Sequence, residues 1–532
     1  MRSIFLAAAC AAALMAGSGA AFAQSKPLAF CSEGSPENFG PMTATSGTSN
    51  TAAATPIYNR LIEFDRGSTD LVPGLAESYE ISPDGLVYTL KLRKGVKFHT
   101  TSYFKPTRDF NADDVMFTIN RQFDKTHPYN PVNGGKYEYF NSLGMGEALS
   151  KVEKIDDHTI RLTIKEPLAP FLTNLAMDFM SIYSAEYADK LMTAKTPEKI
   201  DLEPIGTGAF QFVAYQKDAV IRYRANADYW KPKAQVSDLI FAITPDAAVR
   251  FAKLKANECQ VMALPAPADI AAMKADPNLF LAEREGLNVG YLAYNVEKKP
   301  LDDVRVRKAL NMAVNKAAII QAIYLGAGKA AKNPMPPTIW GYNDAVQDDP
   351  YDPEAAKKLL AEAGLANGFE TDLWAMPVSR PYNPGARRMA EMIQADWEKI
   401  GVKAKIVTFD WGEYLKRGRA GEHQTYLLGW TGDTGDPDNF LFELLGCAAA
   451  KAGGNRARWC NQDFEALVQK ARKTGVKSER TALYEQAQVI FKREAPWLTV
   501  AHSVAYVPMR KGVEGFKMDP LGRYDFYGVT VK

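Results

Sequence analysis

The chain has 532 residues, with 64 Lys and Arg against 62 Asp and Glu, and a formal net charge of +2. Basic and acidic residues are interleaved along it, which argues against the basic patch of a nucleic-acid-binding protein. A chain of this length is expected to form about two to four domains. Beyond the amino terminus, no stretch approaches the roughly 20 apolar residues of a membrane-spanning helix.

Residues 1–23 have the pattern of a cleavable secretory signal. A basic second residue is followed by an Ala- and Leu-rich run and by an Ala-Phe-Ala motif at 21–23. The mature chain is therefore predicted to begin at Gln24. Lipidation at Cys10 is a weaker alternative, because Cys10 lies early and lacks the preceding Leu of a lipoprotein signal.

Four of the five cysteines lie beyond the signal, an even number for an oxidising compartment. Cys447 and Cys460 are separated by a short segment rich in Gly and Ala, which favours a local disulfide. Cys31 and Cys259 would then pair with each other. Metal binding is the competing interpretation, but the sequence has no C-x-x-C motif and no His nearby.

Small and hydroxyl residues at 43–49 are able to hydrogen-bond a polar ligand or simply to form a loop; Thr45, Ser46, Gly47 and Thr48 are the candidates. Further on, two segments of alternating apolar residues at 72–93 flank a Pro-Asp-Gly turn and predict a β-hairpin.

Two helices are predicted in the second half of the chain. Residues 302–324 have a long amphipathic helical pattern that ends at Gly326 and Gly328. The next helix is predicted to start within the segment 349–353, which ends in Asp352-Pro353, and to end at Gly364.

Residues 370–430 predict a β-α-β-α-β unit. The expected strands are 370–378, 402–408 and 426–430, and the helices are 386–399 and 411–419. Because such crossovers keep strands parallel, the carboxyl ends of all three strands meet at one edge of the sheet.

Opposite charges follow the first and third of these strands. In the loop after 430, Asp436 and Asp438 suit the start of a helix, whereas Asp433 lies between glycines and is left to meet a ligand. Arg380 follows the first strand. This pairing suits a zwitterion with a free ammonium and a free carboxylate, and the alternative is an ordinary surface ion pair.

Aromatic residues flank both charges. Trp430 and Tyr382 are expected to wall a cleft, although either could pack in the core.

Enzyme function is disfavoured. The sequence has no H-E-x-x-H motif, no G-x-S-x-G motif and no free thiol, and its five His residues occur singly.

Several motifs resemble the extracellular solute-binding proteins of family 5, the peptide and nickel receptors of ABC importers. The resemblance runs from Cys31 to the carboxyl terminus, and its motifs are K-G-V-K-F-H at 94–99, F-N-A-D-D-V at 110–115, P-I-G-T-G-A-F at 204–210, N-A-D-Y-W at 226–230, N-V-G-Y-L-A-Y-N at 288–295 and D-V-R-V-R-K-A-L at 303–310. Within the family, the dipeptide receptors are matched by C-S-E-G-S-P at 31–36, C-Q-V-M at 259–262, R-P-Y-N-P at 380–384 and W-T-G-D at 430–433.

The resemblance implies a bilobed α/β fold with a hinge and an inserted third domain. Lobe I would comprise residues 24–57, 207–285 and 504–532, the inserted domain 58–206, and lobe II 286–503. It also implies the disulfides Cys31–Cys259 and Cys447–Cys460, and a monomer in the periplasm of a Gram-negative bacterium.

The same resemblance implies the site and its partners. Asp433 would bind a peptide ammonium and Arg380 a peptide carboxylate; the wall would be formed by Trp430, Thr431, Gly432, Tyr382 and residues Thr45, Ser46, Gly47 and Thr48. The implied partners are dipeptides, an inner-membrane ABC permease and, as a further candidate, a chemoreceptor, with no cofactor, metal or nucleic acid. Relatives that carry haem, glutathione or longer peptides leave those cargoes as alternatives.

Overall fold

The structure is a computed structural model that describes residues 26–532. The signal predicted at residues 1–23, including Cys10, lies outside the described residues. Within 26–532, none of the helices combines the length and the apolar character needed to cross a bilayer.

Twenty strands occur in the described part of the chain. Twelve belong to one mixed sheet, and the others form a four-stranded sheet and two two-stranded ribbons. In chain order they are β1 (Leu28–Ser32), β2 (Ile62–Phe64), β3 (Leu71–Pro73), β4 (Ala76–Ile81), β5 (Val87–Leu92), β6 (Leu149–Asp156), β7 (Thr159–Ile164), β8 (Phe210–Gln216), β9 (Val220–Ala225), β10 (Asp238–Ile243), β11 (Val261–Met262), β12 (Leu279–Glu285), β13 (Asn288–Tyr294), β14 (Gly328–Ala330), β15 (Glu370–Trp374), β16 (Lys403–Val407), β17 (Thr425–Thr431), β18 (Trp497–Arg510), β19 (Val513–Glu514) and β20 (Thr530–Val531).

The α-helices pack on the faces of these sheets. In chain order they are α1 (Gly47–Ala52), α2 (Ala54–Ile57), α3 (Ala112–Phe123), α4 (Glu138–Ser142), α5 (Met145–Ala148), α6 (Phe171–Leu175), α7 (Ala185–Thr193), α8 (Ala247–Lys255), α9 (Ile270–Ala275), α10 (Val304–Met312), α11 (Lys316–Ile319), α12 (Pro353–Glu362), α13 (Ala386–Glu398), α14 (Trp411–Ala420), α15 (Asp438–Leu445), α16 (Cys447–Ala452), α17 (Gln462–Lys473) and α18 (Lys477–Glu494).

The large sheet has two halves that share β18. Its strand order is β16-β15-β17-β13-β18-β11-β1-β10-β9-β8, and β12 and β14 also pair with β18. The first residues of β18 pair with β13, and residues 504–510 pair with β12. One continuous strand therefore joins the two halves, while the domain boundaries stay a prediction.

The β-α-β-α-β unit is confirmed. Strand β15 is parallel to β16 along its whole length and parallel to β17 at Trp374. The first strand ends at Trp374, four residues earlier than predicted. The part of the prediction beyond it contains Pro377, which has no N–H group to donate to a ladder. The loops that carry Arg380 and Asp433 leave the same edge of the sheet.

The hairpin is also confirmed, since β4 and β5 pair antiparallel around the turn that contains Gly85, whose φ is 73°. Helix α12 begins at Pro353 with Asp352 as its cap, as predicted.

The single helix predicted for residues 302–324 is wrong. Helix α10 ends at Met312, and α11 begins at Lys316, followed by one π-helical segment, Ile320–Tyr324. The break occurs at Asn315, whose side chain accepts a hydrogen bond from the Ala318 N–H at 3.0 Å and so starts a new helix. The Asn315 N–H donates to Asp396 Oδ2 at 2.9 Å instead of continuing α10.

Both expected disulfides are present. Cys31 in β1 is joined to Cys259, 228 residues away, and Cys447 is joined to Cys460 across 13 residues. Cys31 and Cys259 are fully buried. The first bond therefore ties the amino-terminal strand to the middle of the chain.

Candidate ligand-binding site

A cavity of about 170 Å³ lies at the sheet edge where the loops after β15 and β17 meet. Nine of the ten predicted site residues line it: Thr45, Ser46, Gly47, Thr48, Arg380, Tyr382, Trp430, Thr431 and Asp433. Gly432 does not line this cavity. A Cβ atom at Gly432 would lie 2.8 Å from the Phe440 ring, so this glycine permits the loop to pack closely on α15.

The backbone of the Asp433 loop is fixed by α15. The Asp433 backbone N–H donates to Asn439 Oδ1 at 2.7 Å, and Asn439 lies in the first turn of α15. Asp433 Oδ2 is buried and has no hydrogen-bond partner among residues 26–532. Burial raises the pKa of Asp433 to about 7, and the carboxylate of Asp178 adds to the rise, while the nearby polar groups of Tyr139 and Asn439 oppose it.

Arg380 is presented by a tight loop. Its N–H donates to Asn383 O at 3.1 Å, and the Asn383 N–H donates back to Arg380 O at 2.9 Å. The guanidinium lies 3.6 Å from Glu33 Oε1, and its Nη2 donates to Thr48 Oγ1 at 3.4 Å. Its Nη1 also donates to Ser379 O at 3.2 Å, the Trp411 ring lies 5.5 Å from the guanidinium, and Arg380 lines the cavity. Not all five N–H donors of the guanidinium have a partner in the described part of the chain.

The hydroxyl-rich segment forms the start of α1 and not only a loop. Ser46 is the helix cap, and its hydroxyl accepts from the Ser49 N–H at 3.2 Å. Thr45 Oγ1 accepts from Arg419 Nη2 at 2.8 Å. These contacts bring the amino-terminal segment against α14, nearly 400 residues later in the chain.

Tyr382 packs flat on the backbone of the central strands. A Cβ atom at Gly429 would lie 2.2 Å from Tyr382 Cδ2, and one at Gly290 would lie 2.2 Å from Tyr382 O. Tyr324 fixes the loop further by donating its hydroxyl to Tyr382 O at 2.6 Å. Glycines in β13 and β17 therefore make room for the Tyr382 loop.

Trp430 is half-buried, and its Nε1–H donates to Asn439 Oδ1 at 3.1 Å. Its ring centre lies 6.2 Å from that of Tyr139. Both rings border the space beside Asp433.

Asp436 has the structural role predicted for it. Its Oδ1 accepts from the Asp438 N–H at 3.0 Å, at the point where α15 begins, and also pairs with Arg480 at 2.7 Å. Asp438 lies in the first turn of α15, buried beside Arg472.

Comparison with known proteins identifies the family. The model for bacterial extracellular solute-binding proteins, family 5 (middle), matches residues 70–452. The chain belongs to this family. The dipeptide-binding protein of Escherichia coli (strain K12) is 59% identical over 519 residues, which cover 98% of this chain and 97% of that protein.

Other family 5 proteins are also similar. The haem-binding protein A of Haemophilus influenzae is 54% identical over 502 residues, which cover 94% of this chain and 92% of that protein. The crystal structure of a dipeptide-binding protein from Pseudoalteromonas sp. SM9913 in complex with Met-Leu superposes with a TM-score of 0.92 at 39% identity, covering 95% of this chain and 100% of that one. The predicted fold, bilobed α/β with an inserted domain, is confirmed.

Sequence reasoning missed much of the wall of this family 5 site. Charged and aromatic residues from six separate segments also line the cavity: Glu33, Glu138, Tyr139, Trp411, Arg419, Glu443, Arg456 and Tyr524. None lies in a strand-end loop of the β-α-β-α-β unit. The one available signal was Glu33, which lies within the C-S-E-G-S-P motif quoted for the resemblance.

The cavity is lined by more ionisable side chains than Asp433 and Arg380 alone. Glu443 is buried, its Oε1 accepts from Ser142 Oγ at 2.5 Å, and burial raises its pKa well above the usual range.

Within residues 26–532, no group of three or more His, Cys, Asp or Glu side chains could hold a metal ion. None of the five His residues, all of which are described, lines the cavity.

Proposed function

We propose that this protein is the substrate-binding receptor of an ABC importer and that it captures dipeptides by their charged ends. Asp433 binds the ammonium and Arg380 binds the carboxylate. The observation that carries the proposal is that a buried, unpartnered carboxylate oxygen and a guanidinium with spare donors line one cavity.

The environment of Asp433 favours a cationic ligand. A buried carboxylate without a cation is costly, and this cost is what raises the pKa of Asp433 to about 7. An ammonium beside Oδ2 would satisfy its lone pairs and lower the pKa again. Charge-assisted hydrogen bonds of this kind contribute about 1.5–3 kcal/mol.

The environment of Arg380 favours an anionic ligand. Its closest carboxylate, Glu33, lies 3.6 Å away and is itself hydrogen-bonded by Thr48. A planar guanidinium has five N–H donors and binds a carboxylate with two parallel hydrogen bonds. A peptide carboxylate would therefore bind more closely than Glu33 does.

The size of the cavity favours a small cargo. Its volume of about 170 Å³ lies below the ~300–1,000 Å³ of pockets for drug-sized ligands. Water around the ligand side chains would permit many dipeptide sequences. The named cargo of the E. coli relative, and the Met-Leu bound in the Pseudoalteromonas protein, support the same class.

Haem is the second candidate, because the H. influenzae relative is named as a haem-binding protein. Three tyrosines line the cavity and offer oxygen ligands: Tyr139, Tyr382 and Tyr524. Mixing the protein with haem and recording visible absorbance tests this cargo. A haem spectrum that Ala-Ala does not displace would favour a separate haem function.

The receptor would deliver its cargo to an inner-membrane permease from the periplasm, as a monomer. A chemoreceptor is a further candidate partner.

We also propose that the protein is not an enzyme. Ala-Ala incubated with it should then be recovered intact, and release of free alanine would contradict this.

Calorimetric titration of the mature protein tests the cargo. The ligands are Ala-Ala, Ala-Ala-Ala, N-acetyl-Ala-Ala and Ala-Ala-amide, and the variants are Asp433→Asn and Arg380→Gln. Each variant is expected to weaken Ala-Ala binding by on the order of 10- to 100-fold. D433N should lose discrimination against the acetylated peptide, and R380Q should lose discrimination against the amide.

Matched controls are Asp344→Asn and Arg388→Gln, which change exposed residues that do not line the cavity. Both should bind like the wild type. If the protein binds haem, glutathione or a longer peptide but does not bind Ala-Ala, the dipeptide assignment is overturned.

A further inference from the structure

A second and larger cavity lies beside the ligand cavity. Its volume is about 1240 Å³, and it is lined chiefly by residues 133–168 of the amino-terminal half and 416–473 of the carboxyl-terminal half. Glu138 and Arg419 line both cavities. These two side chains therefore lie where the smaller ligand cavity adjoins the larger cavity.

Glu138 and Arg419 form an ion pair across this boundary. Arg419 Nε contacts Glu138 Oε2, and only 27% and 18% of the two side chains are exposed. Other groups hold the pair on both sides. Arg419 Nη2 donates to Thr45 Oγ1 at 2.8 Å, and Arg456 Nη2 lies 3.8 Å from Glu138 Oε1. Because both side chains are partly buried, removing only one of them would leave a partly buried charge without its counter-ion.

Each member of the pair is near, in the chain, to an aromatic residue that lines the ligand cavity. Tyr139, next to Glu138, lines the ligand cavity together with Asp433, and its ring centre lies 6.2 Å from that of Trp430. Trp411 lies two turns before Arg419 in α14 and packs against the Arg380 guanidinium. The boundary is thus connected to the anionic end through one residue and to the cationic end through the other.

We propose that the Glu138–Arg419 ion pair is a gate that limits the length of the bound peptide. This inference rests on the proposed function, in which Asp433 and Arg380 hold the two ends at a fixed separation. A third residue has no room along that line and has to bulge sideways. The ion pair occupies the path along which the bulge would reach the larger cavity.

Removing both side chains tests the gate. The Glu138→Ala and Arg419→Ala double variant opens the boundary without changing either terminal anchor. Its dissociation constants for Ala-Ala and Ala-Ala-Ala are measured by calorimetry. The wild type is expected to prefer Ala-Ala, and the double variant is expected to reduce that preference by at least about tenfold, chiefly by tighter Ala-Ala-Ala binding.

A matched control is available in the same region. Glu166 and Lys473 form an ion pair of 2.7 Å between the same two parts of the chain, and both line only the larger cavity. The Glu166→Ala and Lys473→Ala double variant should keep the wild-type preference. An equal change in both double variants would show a general loosening of the structure and would overturn the gate.

The outcomes separate the gate from the proposed function. If the wild-type protein binds no dipeptide, both the proposed function and the gate are overturned. If the wild type and the double variant bind Ala-Ala with equal affinity, and the variant binds Ala-Ala-Ala no more tightly than the wild type does, only the gate is overturned. Circular dichroism checks folding, and if the double variant does not fold, Arg419→Ala alone is tested with the same two peptides and the same criteria.

Discussion

Asn288 and Ser503 are joined by two reciprocal hydrogen bonds. Asn288 Nδ2 donates to Ser503 O at 3.1 Å, and the Ser503 N–H donates to Asn288 Oδ1 at 2.9 Å. Asn288 begins β13, and Ser503 lies in β18, the strand shared by both halves of the sheet. Ser503 Oγ also donates to Pro381 O at 2.6 Å, so the shared strand is tied directly to the loop that carries Arg380.

Replacing Asn288 by Ala is expected to destabilise the protein by about 1–3 kcal/mol, because buried donors and acceptors on β18 lose their partners. Chemical denaturation measures the change. Asn367→Ala, at an exposed position, is the control and should stay within about 0.5 kcal/mol of the wild type. Equal stability of both variants would contradict a structural role for the Asn288–Ser503 contact.

Ala-Ala affinity is expected to depend on pH through Asp433. Because burial raises the pKa of Asp433 to about 7, the carboxylate becomes protonated as the pH falls below that value and can no longer pair with an ammonium. Affinity should fall by up to about tenfold per pH unit below 7, and should also fall above about pH 8, where the peptide amine loses its proton.

Calorimetry from pH 5 to 9 measures this profile. The D433N variant, which does not titrate at this position, should lose the decline below pH 7 and keep the decline above pH 8. A wild-type profile that is flat between pH 5 and 7 would contradict a pKa of about 7 for Asp433.

Substituting Gly429 by Ala is expected to weaken Ala-Ala binding by about tenfold or more, because its Cβ would lie 2.2 Å from Tyr382 Cδ2 and displace the Arg380 loop. Titration calorimetry measures the affinity. Gly412→Ala is the control, since a Cβ there meets no atom within 4 Å. Wild-type affinity in G429A would show that the Tyr382 loop does not position the ligand.

The two disulfides are expected to differ in their contribution to stability. The Cys31–Cys259 bond closes 228 residues and the Cys447–Cys460 bond closes 13, so the chain-entropy model gives the first about 2.5 kcal/mol more. Denaturation of the two double-Ala variants measures the difference. A larger loss on removing Cys447–Cys460 would contradict the entropic explanation.

The strands and helices around the site were predictable because they depend on local patterns. Apolar runs and crossover helices at 370–431 predicted a parallel unit, and parallel strands bring their following loops to one edge. The prediction of one long helix at 302–324 was wrong because a contact from a distant part of the chain interrupts it. Its apolar spacing continues through Asn315, but a contact with Asp396, 81 residues later, ends the first helix.

The cysteine pairing and the role of the Thr45–Thr48 segment were predictable only in part from local sequence. Local spacing favoured Cys447 with Cys460, and the other pair followed from what remained. Hydroxyl residues were recognised as either ligand contacts or a loop, and the structure shows them as the start of α1 at the cavity wall.

The sequence by itself determined that Arg380 and Asp433 follow parallel strands, because short-range periodicity and chain direction are enough to set which sheet edge a loop reaches. Only the tertiary structure decided what surrounds them. Glu33 beside Arg380, and Glu138 against Arg419, come from segments hundreds of residues apart in the chain. Contacts of this kind depend on how separately formed elements pack together, and no local pattern of residues encodes them.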